Sequence, residues 1–243
     1  MPVLTVFHTN DLHNALDERR ASRLKALKDE TPNSILLDAG DAVSAGNIGV
    51  RPGGEPILRL MSRAGYDAMT MGNREFHFVG FCLRRKIGLA EFPVLCANVR
   101  PAGPGKQVPL RPWIEKEVAG LRVAIFGLTL PMITERMLAR KVSALVFDDP
   151  TETAARLVPE LRRNHDLVIA LTHIGLSSDL RLAKGVPGID LIVGGHSHSR
   201  LEAPEMVGHT AIVHAGWWGH CFGRVELTIG GKGITVTGGI MEL

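Results

Sequence analysis

Five polar clusters rich in Asp, Asn and His each begin where a short apolar run ends. Val3 to Thr9 leads into Asn10-Asp11-Leu12-His13, and Ser34 to Leu37 into Asp38-Ala39-Gly40-Asp41. Ala68 to Met71 leads into Gly72-Asn73-Arg74-Glu75. Leu167 to Leu171 precedes Thr172-His173, and Ile189 to Val193 precedes Gly194-Gly195-His196-Ser197-His198. Runs of this length and β-rich composition read as buried strands. The segments between them, such as Arg19 to Glu30 and Glu55 to Ala64, carry the mixed patterning of surface helices. Strands alternating with helices predict an α/β domain. In open sheets of that class ligands collect beyond the carboxyl ends of the strands, so the clusters are placed to meet in one crevice.

The rest of the chain extends this pattern. Phe92 to Val99 predicts a further strand, and the Pro- and Gly-rich stretch Pro101 to Pro112 a surface loop. Trp113 to Val118 and Leu121 to Leu128 flank Ala119-Gly120 as a hairpin. Asp149-Pro150-Thr151-Glu152 opens a helix: Asp149 caps it, Pro150 suits the first helical position and Glu152 stands where a capping box needs it. Ala211 to Val213, Arg224 to Ile229 and Ile234 to Ile240, with the turn Gly230-Gly231-Lys232-Gly233, predict an antiparallel tail. No repeat or interdomain linker interrupts the 243 residues, which are expected to form a single domain over 1–243.

Composition excludes some function classes. Lys and Arg number 28 against 25 Asp and Glu, and the basic runs Arg19-Arg20 and Arg84-Arg85-Lys86 fall in helix-like stretches as solvated faces. A nucleic-acid partner is therefore not expected. No apolar run approaches the ~20 residues of a membrane span. Cys82, Cys96 and Cys221 match no metal or disulfide spacing and read as free thiols. Met1-Pro2-Val3-Leu4 enters a strand without a secretory pattern, so a cytoplasmic protein is expected, although a trimmed leader would give the same sequence.

Asp11, His13, Asp41, Asn73, His173, His196 and His198 are the residue types of metal sites. Asp and Asn also favour turns at strand ends, but turn chemistry does not account for four imidazoles beside them. Imidazole with carboxylate suits Zn, Fe and Mn, Mg more weakly. The absence of cysteine argues against a closed structural zinc site. Gly40, Gly72, Gly194 and Gly195 stand where tight turns bring short ligands inward.

Thr9-Asn10-Asp11-Leu12-His13, Gly40-Asp41, Gly72-Asn73-x-Glu75-Phe76, Thr172-His173 and Gly194-Gly195-His196-Ser197-His198 resemble, in order, the motifs of calcineurin-like metallophosphoesterases. The segments Pro93 to Val99 and Gly223-Arg224-Val225 resemble the branch of 5′-nucleotidases and cyclic-nucleotide phosphodiesterases. The resemblance runs from about Leu4 to Leu227 and implies a four-layer α/β/β/α sandwich. It implies one divalent metal ion on Asp11, His13, Asp41 and His198, and a second on Asp41, Asn73, His173 and His196, with Asp41 bridging. Manganese is the first expectation, with Fe, Zn or Mg as alternatives. Such ion pairs lie ~3.5–4 Å apart and turn water into a hydroxide that attacks phosphorus in line. The implied activity is hydrolysis of small phosphomonoesters or phosphodiesters, nucleotides among them. The oligomeric state is left open.

The sequence departs from its relatives in two ways. The residue after the metal-binding Asn is normally His, and three residues later an Asp orients it; here they are Arg74 and His77. Arg74 cannot donate a proton at neutral pH but can clamp phosphate oxygens, leaving His77 or solvent to protonate the leaving oxygen. Good leaving groups would then be favoured. A catalytically impaired module that holds metal and phosphate is the alternative from another class. The second departure is size: no C-terminal nucleobase-binding domain follows within the sequence. Glu75 is expected to support the site rather than react, and Asn10 to set Asp11. His214 could line the crevice, whereas His8, His165, His209 and His220 read as core or surface residues. Trp217-Trp218 reads equally as an aromatic wall for substrate or as packing at the sandwich edge.

Overall fold

The computed structural model describes residues 1–46, 48–104, 109–231 and 233–243. The elements in chain order are β1 (Val3–Thr9), α1 (Glu18–Glu30), β2 (Ser34–Asp38), α2 (Pro56–Ala64), β3 (Ala68–Thr70), α3 (Gly80–Ile87) and β4 (Val94–Leu95). They continue with β5 (Val99–Pro101), β6 (Trp113–Val118), β7 (Leu121–Thr129), β8 (Leu145–Phe147), α4 (Pro150–Asn164) and β9 (Leu167–His173). The chain ends with α5 (Leu176–Gly185), β10 (Leu191–Gly194), β11 (Glu205–Val207), β12 (Thr210–Val213), β13 (Cys221–Gly230) and β14 (Gly233–Glu242). One six-stranded sheet has the order β14-β13-β1-β2-β3-β4, a second β11-β12-β10-β9-β7-β6, and β5 pairs with β8 apart from both.

Strand periodicity builds the layers. Successive side chains point to opposite faces, so a strand covered on both sides reads as continuously apolar. In β1 and β2, Phe7 and Leu36 turn outward to Leu24 of α1, Leu58 and Met61 of α2 and Leu83 of α3. Leu4, Val6, Ile35 and Leu37 turn inward and meet Val123, Ile125, Leu167, Ile169 and Leu191 of the facing sheet. The other faces of β7 and β9, with Phe126, Val168 and Ala170, lie under Ala154, Val158 and Leu161 of α4 and Leu182 of α5. Three apolar interfaces between four layers give the α/β/β/α sandwich. The sheets approach closely at Gly127, where a Cβ would lie 2.6 Å from the Leu95 carbonyl carbon.

The strands that carry the polar clusters run parallel: β1 with β2, β2 with β3, and β9 with β10. Their carboxyl ends therefore open on one edge. Asp149 caps α4 as expected, its Oδ1 accepting from Glu152 N at 2.9 Å, and the β6–β7 hairpin pairs Val118 with Leu121. Two expectations are corrected. Phe92 to Val99 is interrupted: β4 stops at Leu95, Ala97 N donates to Gly127 O, and β5 pairs with β8 instead. Ala211 to Val213 lies in the second sheet, parallel to β10, while β13 and β14 form the antiparallel pair and β13 joins β1. Period-2 patterning does not specify which sheet a strand enters. Residues 105–108 of the Pro/Gly-rich stretch and Lys232 of the tail turn lie outside the described residues.

Candidate metal centre

Asp11 and His13 stand just past β1, Asp41 past β2 and Asn73 past β3, while His173 closes β9 and His196 and His198 follow β10. Five of these seven have left-handed backbone: Asp11 (φ 51°), His13 (46°), Asp41 (57°), His196 (77°) and His198 (54°). That conformation costs of order 1–3 kcal/mol per residue other than glycine and persists where surroundings over-determine it, typically at functional sites. Asp11 N donates to Gly40 O and His13 N to Asp41 O, so the first two loops hold each other. Gly40 has φ +88°, and a Cβ there would meet Gly72 N at 2.8 Å and His173 Nδ1 at 2.9 Å.

The side chains converge. Asp41 faces two ways, with Oδ2 3.7 Å from His13 Nε2 and Oδ1 3.4 Å from His173 Nε2. Asp11 Oδ1 lies 3.7 Å from His13 Nε2 and 3.4 Å from His198 Nε2. Asn73 Oδ1 lies 3.3 Å from His173 Nε2 and 3.1 Å from His196 Nδ1. Donor atoms of Asp11, His13 and His198 all fall within 4.8 Å of one another, as do those of Asp11, Asp41 and His173.

These residues fit cations. Asp11 Oδ1 and His13 Nε2 are buried without a hydrogen-bond partner, a costly state that a cation between them relieves. His173 Nδ1 bonds Ala39 O at 2.7 Å, which places one ring proton there and makes Nε2, facing Asp41 and Asn73, the nitrogen that a cation would take once its proton has left. Burial alone would raise both carboxyls, but the His13 imidazole beside Asp11, and His13 with His173 beside Asp41, hold them below the usual range. Burial works against a charged His173, yet the Asp41 and Asp11 carboxylates push its pKa up to about 9. His13 differs: Trp218 Nε1 donates to its Nδ1 at 3.0 Å. An indole N–H only donates, so Nε2 carries the ring proton there, and coordination through Nε2 requires that proton to move to Nδ1.

Supporting residues lie immediately beneath. The buried Glu75 carboxylate accepts from Asp41 N (3.0 Å) and Gly72 N (2.8 Å) through Oε2 and from Val43 N (3.1 Å) through Oε1. Asn10 donates to Asp11 Oδ2 and to Gly216 O, and its Oδ1 accepts from Ala215 N. The sequence marks Lys86 only as part of a basic helix face. It is fully buried and donates to Gly46 O, Arg74 O and Phe76 O, bracing the loop that carries Arg74.

Asp41 is the acid beside Arg74. Its Nε lies 3.7 Å from Asp41 Oδ2, its Nη1 donates to Ser44 O, and its backbone N donates to Asp41 Oδ1 at 2.7 Å. His77 is not brought into the cluster. Its Nδ1 accepts from Val79 N, its ring also engages the Ile48 backbone, and it stacks on Phe78. His214 is fully buried behind the rim, with Nε2 2.8 Å from Asp179 Oδ2, whose Oδ1 accepts from Thr172. Asp179 gave no signal in sequence because it lies within an ordinary amphipathic helix. Trp217 and Trp218 are 44% and 52% exposed, which removes the packing reading.

The model of the Calcineurin-like phosphoesterase family matches residues 4–200. The chain belongs to the calcineurin-like phosphoesterase family. Among its relatives is the Trifunctional nucleotide phosphoesterase protein YfkN of Bacillus subtilis (strain 168), 36% identical, with 96% of this chain aligned to 18% of that protein. A 5′-nucleotidase of Vibrio vulnificus (strain CMCP6) is 32% identical over 92% of this chain and 48% of its own length. Among solved structures, the 5′-nucleotidase precursor from Thermus thermophilus superposes with a TM-score of 0.81 at 28% identity, covering 99% of this chain and 54% of that one. The chain thus spans less than half the length of either curated relative. Among the described residues no helix is long and apolar enough to cross a membrane.

Proposed function

We propose that this phosphoesterase-family chain is a dinuclear metal-dependent hydrolase of small phosphate esters, nucleotides among them. The observation that carries the reading is Asp41, whose two carboxylate oxygens face His13 and His173 respectively. Asp11, His13, Asp41 and His198 would hold one ion, and Asp41, Asn73, His173 and His196 the other. Manganese is the first expectation for imidazole with carboxylate, ahead of Fe, Zn or Mg. Divalent cations held there would supply Lewis acidity for a phosphoryl oxygen and lower the pKa of water towards neutrality.

The chain's own residues supply position and charge. Glu75 holds the Asp41 and Gly72 turns in register, so that Asp41 and Asn73 point to one place. Arg74 has five N–H donors and spends one on Ser44 O, which leaves others for phosphate oxygens while Asp41 fixes the guanidinium. Backbone contacts occupy His77, so solvent protonates the leaving oxygen in this reading. Two related nucleotide enzymes at 36% and 32% identity support the substrate class.

Metal analysis with turnover of p-nitrophenyl phosphate, its bis ester and nucleoside monophosphates in Mn²⁺ tests the proposal. Two ions per chain and turnover abolished by Asp41→Asn are expected. Two ions without turnover of any ester would point to the module that holds metal and phosphate. Fewer than two ions in the active protein would refute the dinuclear arrangement.

A further inference from the structure

We propose that Trp217 is a stacking platform for the base of a nucleoside phosphate whose phosphate sits at the metal centre. The inference rests on the reading above for the phosphate and adds the element that recognises the remainder of the substrate. Trp217 lies face-on to His198, with ring centroids 5.8 Å apart and planes inclined by 22°. One face of the indole is thus fixed on a candidate ligand while 44% of the residue stays exposed. Trp218 follows with φ 59°, its indole N–H on His13 and 52% of its surface open.

The segment that carries both indoles is fastened to the ligand loops. Gly216 O accepts from Asn10 Nδ2 at 2.6 Å, and Ala215 N donates to Asn10 Oδ1 at 2.8 Å. Gly216 N donates to Ser199 O and Trp218 N to Asp11 O, each at 2.8 Å. Two large aromatic surfaces are therefore held in water, one on strained backbone, at the rim of the site. Apolar packing does not explain that cost, whereas a planar ligand does: base–aromatic stacking contributes about 1–3 kcal/mol per base. Pre-fixed rings also lose little entropy when a ligand binds.

The His198 imidazole stands between the platform and the carboxylates. His198 Nε2 lies 3.4 Å from Asp11 Oδ1 and its ring centroid 5.8 Å from that of Trp217, so the platform stands one ring beyond the candidate ligands. A base carried one sugar away from the phosphate suits that separation, whereas a simple aryl phosphate carries its ring on the ester oxygen itself.

The test compares kcat/KM for AMP, ribose 5-phosphate and p-nitrophenyl phosphate in the Mn²⁺-loaded protein and its Trp217→Ala and Trp217→Phe variants. The ratio of AMP to ribose 5-phosphate should fall roughly 5- to 100-fold in Trp217→Ala and recover largely in Trp217→Phe. The ratio of ribose 5-phosphate to p-nitrophenyl phosphate should stay put. An unmoved AMP ratio, or a parallel fall for all three esters, would overturn the platform, the latter because Trp217 would then only support His198. Quenching of tryptophan fluorescence by adenosine separates this from the catalytic reading, since it needs no turnover. Quenching lost in Trp217→Ala supports the platform even if no ester is cleaved, and an active enzyme without quenching refutes it. With neither turnover nor quenching, both proposals fall.

Discussion

Glu75→Gln should destabilise the fold and loosen the metal centre, although the side chains are nearly isosteric. The carboxylate takes three backbone N–H groups, from Gly72 at 2.8 Å, Asp41 at 3.0 Å and Val43 at 3.1 Å. Gln offers one carbonyl oxygen. Turned toward Asp41 and Gly72 it keeps two bonds, but its NH₂ then faces Val43 N–H, donor to donor. Two orphaned donors at about 1–3 kcal/mol each give about 2–6 kcal/mol. Burial, reinforced by Asp41, raises the Glu75 carboxyl, so removing the charge returns part of this. About 2–4 kcal/mol remains, roughly 5–15 °C in Tm for a domain of this size. Urea denaturation reads the stability and metal titration reads the site. Because Glu75 fixes Asp41 at φ 57°, affinity for at least one ion should fall in parallel. A Gln variant within about 0.5 kcal/mol of wild type, the ordinary range for surface substitutions, and with unchanged metal stoichiometry would refute the argument.

Other perturbations follow from the same geometry. Burial, with His214 beside it, depresses His8 to about 3 against 6.5 unfolded. The unfolded chain therefore binds more protons between those values, stability is complete above 6.5, and lowering the pH to 5 should cost about 2 kcal/mol, a slope that His8→Gln removes in chemical denaturation; a wild-type slope kept in the variant would exclude His8 as its source. Gly127→Ala should destabilise by about 1–3 kcal/mol, because its Cβ meets Leu95 backbone and side chain at 2.6 Å where the two sheets touch; neutral thermal melting of the variant would show that the sheets part freely there. Arg74→Gln should lower kcat/KM about 10- to 100-fold, the worth of charged hydrogen bonds to phosphate, with two ions still bound by metal analysis; unchanged kcat/KM would remove Arg74 from the reaction.

Much of the site was legible because each candidate ligand follows an apolar strand, and parallel pairing carries those strand ends to one edge. The layers were legible for a related reason: continuous apolar runs require cover on both faces. Partnership was not legible. Ala211 to Val213 alternates no differently from Arg224 to Ile229, yet the first joins β10 and the second β1. Lys86 reads as one of three basic residues on a helix, and only the fold shows three carbonyl oxygens around its ammonium. His77 stands at a promising spacing from Asn73, but the turn into α3 sends its ring to Val79 N rather than to the cluster. Hydrogen-bond direction depends on loop geometry, and loop geometry depends on contacts remote in sequence.

Arg74 changes the charge of the site, not only its shape. Without cations, the ionised Asp11 and Asp41 stand beside Arg74 and a His173 whose pKa is pushed up to about 9, so two buried negative charges meet two positive ones. That balance lets an acidic pair sit at the end of an apolar sheet without a prohibitive desolvation cost. In the proposed assignment, cation binding would require the His173 Nε2 lone pair and expel its proton, whereas the guanidinium would stay charged. In the proposed dinuclear state, two dications less two carboxylates plus Arg74 leave a formal surplus of +3. A neutral imidazole at position 74 would leave +2. A monoester dianion with an attacking hydroxide carries −3, and a diester with hydroxide carries −2. In that proposed state the Arg74 charge would match a phosphomonoester, and it lies beside the carboxylate that faces both His13 and His173.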